Sequence, residues 1–118
     1  MPHRLAALTL ALVVSLPLPA FAFDRIVDGG TFTNLVTGRT LTRIGIRLQV
    51  EPDGDITGNG MGWPVSGAWT WRDGFFCRSL NWGGDDLGDD CQTVLQNGDQ
   101  LRFVAERGGG QYADFRLR

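Results

Sequence analysis

Cys77 and Cys91 bracket the run Asn81-Trp82-Gly83-Gly84-Asp85-Asp86-Leu87-Gly88-Asp89-Asp90, the densest group of ionisable side chains in the chain. A disulfide between the two cysteines would close an acidic loop and remove about 3 kcal/mol of unfolded-state freedom in the chain-entropy account. Asp85, Asp86, Asp89 and Asp90 are candidate calcium ligands. Calcium takes several oxygens, and a glycine-rich turn can aim carboxylates and carbonyls at one point. The same carboxylates also suit a solvated acidic surface, paired in part with Arg78 or Arg72, or a patch for a basic partner.

Trp63, Trp69, Trp71 and Trp82 are the second group with chemical potential. Aromatic faces bind sugars, apolar ligands and proline-containing peptides. Trp69 and Trp71 are expected in the core, which needs large side chains in so glycine-rich a sequence. Trp63 and Trp82 lie near glycine-rich turns and, with Arg78, are the candidate ligand or partner surface: an apolar anchor with a charged rim. Asp53 and Asp55 could act as paired carboxylates in glycoside hydrolysis, although Pro52-Asp53-Gly54 is also ordinary turn chemistry. Arg43 and Arg47, read on one continuous strand, share a face that could meet an anion.

Composition excludes more than it suggests. The only histidine is His3, and there is no lysine. Without residues 1–22 the chain has no imidazole base, no histidine-ligated metal and no lysine Schiff base. The 11 basic residues, all arginine, stand against 13 acidic ones. That balance argues against nucleic acid as a partner.

Residues 1–22 have the form of a cleaved secretory signal: Arg4, the apolar stretch Leu5 to Leu18, and Ala20-Phe21-Ala22 as a small-x-small cleavage pattern. The apolar stretch is too short to span a bilayer, so no membrane span is expected after cleavage. Residues 23–118 then form a single domain, periplasmic or secreted, where a disulfide is chemically reasonable.

The elements that must position these groups are strands. Short β-branched and aromatic runs alternate with glycine, and no stretch carries sustained helical periodicity. Arg25 to Val27 and Thr31 to Thr33 suggest short strands about Asp28-Gly29-Gly30. Thr40 to Val50 is expected as one strand, with Ile44, Ile46, Leu48 and Val50 on its apolar face. Asp73-Gly74 predicts a type I′ hairpin placing Arg72, Trp71 and Thr70 opposite Phe75, Phe76 and Cys77. Asn97-Gly98 predicts a second hairpin, with Val94 opposite Leu101, and the final run presents Ala113, Phe115 and Leu117 to one side. The expected fold is all-β: a small antiparallel meander of about six to eight strands, barrel-like or a curved sheet, stapled by one disulfide. A β-sandwich is the alternative.

Two resemblances accompany this pattern. Gly83-Gly84-Asp85-Asp86-Leu87 resembles one turn of the glycine- and aspartate-rich calcium-binding repeats of secreted bacterial proteins, although those stack several copies. Gly67-x-Trp69, Asp73-Gly74, Phe76-Cys77-Arg78, Asp90-Cys91-Gln92 and Gly98-x-x-Leu101-Arg102-Phe103 together resemble small exported bacterial β domains over about residues 58–104. Neither supplies a catalytic residue or a required cofactor. The expected function is a noncatalytic binding or interaction domain for an envelope or extracellular protein, peptide or glycan. The alternatives are a weak calcium- or carbohydrate-binding module and a carboxylate-dependent hydrolase.

Overall fold

A computed structural model describes residues 9, 11–14 and 22–118. The expected signal segment, 1–22, falls outside it except at those few positions. Strand β1 (Asp24–Ile26) leads into helix α1 (Gly29–Val36), followed by β2 (Leu41–Arg43), β3 (Ile46–Val50), β4 (Asp55–Gly60) and β5 (Trp63–Arg72). The chain continues through β6 (Phe75–Trp82), β7 (Asp85–Asn97), β8 (Gln100–Val104), a 3-10 turn (Glu106–Gly108) and β9 (Tyr112–Leu117). Strands β2 to β9 pair antiparallel, each with its neighbours in sequence. Pairing of β2 with β9 closes them into an eight-stranded barrel, and β1 adds an outer strand along β7. Closure leaves the eight staves without a free edge, which a chain rich in aromatic strands requires. Among the described residues, no helix is long and apolar enough to cross a membrane.

The barrel is built by alternation. Leu41, Leu48, Val50, Ile56, Trp69, Phe76, Val94, Leu101, Phe103, Phe115 and Leu117 point inward to form the core. Gly67 lies opposite Leu80, and a Cβ there would overlap the Ser79 carbonyl. The missing side chain lets β5 coil tightly onto β6.

The hairpin at Asp73-Gly74 has the expected register, Arg72↔Phe75, Trp71↔Phe76 and Thr70↔Cys77, with φ of 53° and 83° at the two turn residues. The next one differs. Its loop is Gly98-Asp99, so Val94 faces Phe103 and Gln96 faces Leu101. A slip of two residues leaves every side chain on its expected face, which is why the core prediction survives it.

Two expected strands are something else. Thr31 to Thr33 lie in α1, where the Asp28 carboxylate caps the first turn by accepting from the Thr31 amide and hydroxyl, each at 3.0 Å. An eight-residue helix with two leading glycines has little intrinsic stability, so packing holds it. Phe32 is 0% exposed among Trp69, Trp71, Phe76 and Phe103, and Val36 is buried one turn on. The helix thereby closes one end of the barrel.

Thr40 to Val50 is not one strand but the β2–β3 hairpin, turning at Ile44 and Gly45, with φ of 74° at Gly45. The apparent apolar alternation runs through the turn, and Ile44 is 92% exposed at its tip. Arg43 pairs with Ile46 and follows the inward parity, whereas Arg47 pairs with Thr42 and faces out. The two arginines do not share a face.

Candidate ligand-binding lumen

Cys77 and Cys91 are bonded and directly opposite one another on β6 and β7, with Cα atoms 3.9 Å apart. The acidic run between them is strand, not loop: Asp85 pairs with Trp82, Asp86 with Asn81, Asp89 with Ser79 and Asp90 with Arg78 across a Gly83-Gly84 turn. Ladder pairing separates the carboxylates. The register slips between Ser79 and Asn81, and beside that slip Asp86 accepts from the Gly88 amide at 2.8 Å. Asp90 accepts from the Glu106 amide at 3.1 Å and from the Gln92 side chain at 3.2 Å. Among the described residues, no group of three or more His, Cys, Asp or Glu side chains is arranged to hold a metal ion.

The antiparallel order puts the β3–β4, β5–β6 and β7–β8 turns at the end that α1 closes. The β2–β3, β4–β5 and β6–β7 turns and the β8–β9 connection lie at the other end. Ile44, Met61, Trp63, Trp82, Leu87 and Tyr112 are exposed at or beside these connections and form an apolar rim. Trp63 is 60% exposed and packs over Gly83; Trp82 is 38% exposed and donates to the Gly60 carbonyl at 2.8 Å. Both keep the exposure expected of them, and both follow the inward parity of β5 and β6 while standing outside the lumen lining. Trp69 is buried and donates to the Glu51 carbonyl at 2.8 Å, and Trp71 packs against the core.

Inside the rim lies a cavity of about 500 Å³. Leu48, Ile56, Phe76, Leu80, Ala113 and Phe115 supply most of its wall, and Arg43, Arg78, Gln92 and Gln111 are its polar lining residues, with Tyr112 bordering it from the outer face of β9. No carboxylate lines it. Arg78, read as a surface residue in sequence, is half-buried here and donates to the Gly88 carbonyl at 3.0 Å. Arg43 lies at the mouth with its guanidinium carbon 5.6 Å from the Phe115 ring centroid.

Sequence reasoning missed Gln92 and placed Arg43 on the wrong face. The signal for Gln92 is its parity: it alternates with Val94 on the inward side of β7, so a polar group there belongs to the interior. Outside the barrel, Arg102 is held by two hydrogen bonds from its guanidinium to Asp114, 2.8 and 3.0 Å, which raise its pKa above the ordinary value. The rings of Phe23 and Tyr112 flank it at 4.1 and 4.0 Å, which holds Phe23 against the outside of β8. No family model, curated protein or solved structure matches this chain.

Proposed function

We propose that the protein is a noncatalytic binding domain, exported to the periplasm or secreted, that takes a small apolar ligand into the lumen of its barrel. The observation that carries this reading is the cavity of about 500 Å³, walled in part by Phe76 and Phe103, which pack on Phe32 of the closing helix, and ringed by exposed apolar residues at the other end. Eight-stranded barrels either fill their interior with side chains or hold one small ligand, and this volume lies in the range of small-molecule sites. The export part of the proposal rests on the leader pattern of residues 1–22 and on the disulfide.

Titration of the oxidised protein with N-phenyl-1-naphthylamine, a neutral apolar dye, tests the lumen. Saturable, blue-shifted emission is expected, together with its loss in Ala113→Trp, which fills the cavity from β9. Absence of saturation, or unchanged binding by Ala113→Trp, would reject the lumen as the site.

A second reading, recognition of an envelope glycan or peptide at the rim, is favoured by Trp63 and Trp82 standing exposed on adjacent hairpins. Soluble glycan fragments should then quench tryptophan emission of the wild type more than that of Trp63→Ala, and equal quenching removes this reading. Calcium bound by Asp85, Asp86, Asp89 and Asp90 would compete with the hydrogen bonds that Asp86 and Asp90 already accept. An unchanged melting temperature in millimolar calcium, the range of weak extracellular sites, counts against it.

A further inference from the structure

We infer that the ligand of the lumen is an apolar molecule with one compact anionic group, held at the mouth between Arg43 and Arg78. The inference rests on the lumen reading above and specifies the chemistry of its ligand.

Charge is the first support. The chain has 13 acidic residues against 11 basic ones, yet the cavity is lined by two arginines and no carboxylate. The lining inverts the sign of the whole protein. A carboxylate, sulfonate or phosphate oxygen would give both guanidiniums a charged acceptor, which a neutral apolar ligand does not offer.

Placement is the second. In the closed order β7-β6-β5-β4-β3-β2-β9-β8, the β2 and β6 staves are four steps apart in either direction, so Arg43 and Arg78 line the cavity from opposite walls. Neither belongs to an ion pair among the described residues; the two pairs found there are Arg102–Asp114 and Arg116–Asp99, both on the outer surface. Asp90, the cross-strand neighbour of Arg78, is engaged by the Glu106 amide and the Gln92 side chain and does not line the cavity. Arg78 uses one guanidinium nitrogen on the Gly88 carbonyl, which fixes the group and leaves its other donors available. Below the two arginines the wall is aliphatic and aromatic, suited to a tail.

The test is displacement of N-phenyl-1-naphthylamine from the full-length oxidised protein by decanoate and, separately, by decanol, both below the concentrations at which they aggregate. The two share a tail and differ in the head. Decanoate should displace the dye at a concentration about tenfold lower than decanol, as expected for one charge-assisted hydrogen-bonded contact. Arg43→Gln and Arg78→Gln should each remove most of that preference, read as the ratio of the two displacement concentrations within one variant, and an unchanged far-ultraviolet spectrum and melting transition report an intact barrel. Equal displacement by the two heads, or an undiminished preference in both variants, overturns the inference and leaves the lumen reading standing. Failure of the wild type to bind the dye, or of both amphiphiles to displace it, overturns the lumen reading and this inference with it. If Arg78→Gln loses the dye through misfolding, Arg43→Gln, an exposed position at the rim, decides alone.

Discussion

Phe32 stacks on Trp71 with ring centroids 5.0 Å apart and planes 25° from parallel, joining helix α1 to the barrel wall. Trp71 in turn donates from its indole to the Val27 carbonyl at 3.3 Å, so the segment before the helix is tied to the same side chain. The closed end of the barrel depends on this contact more than on helix propensity. Phe32→Ala should cost about 3–5 kcal/mol, the range for emptying a fully buried aromatic site. Urea denaturation of the oxidised protein would show it as a lower midpoint, and Phe32→Leu should lose less because it refills part of the volume. A change under 1 kcal/mol for Phe32→Ala would mean that the helix does not close the core.

The cap of that helix makes stability depend on acid. Asp28 accepts from the Thr31 amide and hydroxyl, which holds its carboxyl below the ordinary value of 3.8. A folded-state pKa lowered in this way contributes stability that is complete above the unfolded value and is lost as pH falls through the folded one. Asp28→Asn keeps a capping oxygen but does not titrate. The wild type should therefore melt at a higher temperature than Asp28→Asn at neutral pH, with the difference shrinking below about pH 4. A constant difference from pH 7 to pH 2 would rule out this linkage.

The Cys77–Cys91 bond joins residues that the ladder already sets opposite each other, with a sequence separation of 14. Its effect should fall on the unfolded chain, with little change in the folded barrel. Replacing both cysteines by alanine is expected to lower stability by about 3 kcal/mol, measured by the urea midpoint, with the far-ultraviolet spectrum unchanged. Loss of the β spectrum at zero urea would show that the bond is needed to form the barrel at all.

The fold was legible where local chemistry and strand period agree. Asp73-Gly74 is a turn whose residues prefer positive φ, and the alternation on either side specifies the register, so the Trp69, Trp71 and Phe76 face could be read directly. Asn97-Gly98 shares that composition, but the chain turns one residue later, at Gly98-Asp99. The helix was hidden because Thr31-Phe32-Thr33 alternates as a strand would. Its sequence mark is the cap at Asp28, and its stability comes from the aromatic residues of three distant strands. Chemistry was less legible than fold. Whether Arg43 faces in or out turns on one glycine, Gly45, that divides an otherwise continuous alternation. Four aspartates drew attention by density, whereas the polar lining of the lumen comes from single residues on separate strands that only barrel closure brings together.

Gly67 tests how closely the lumen depends on that closure. It stands on the inner face of β5 opposite Leu80, where a methyl group would collide with the Ser79 carbonyl and lie 2.9 Å from the Leu80 side chain. The carbonyl belongs to the backbone and cannot swing aside, so β5 and β6 must separate or Leu80 must move into the cavity it lines. Gly67→Ala should destabilise the domain by about 1–3 kcal/mol, as overpacking does, and should also weaken binding of the naphthylamine dye. Gly109→Ala, in the β8–β9 connection outside the lumen lining, has its nearest contact with the Glu106 carbonyl at 3.3 Å and serves as the comparison. Weakened dye binding in Gly67→Ala at full occupancy of the folded state, with Gly109→Ala unchanged, would place the ligand against the β5–β6 wall; equal effects in the two variants would instead assign the loss to general stability.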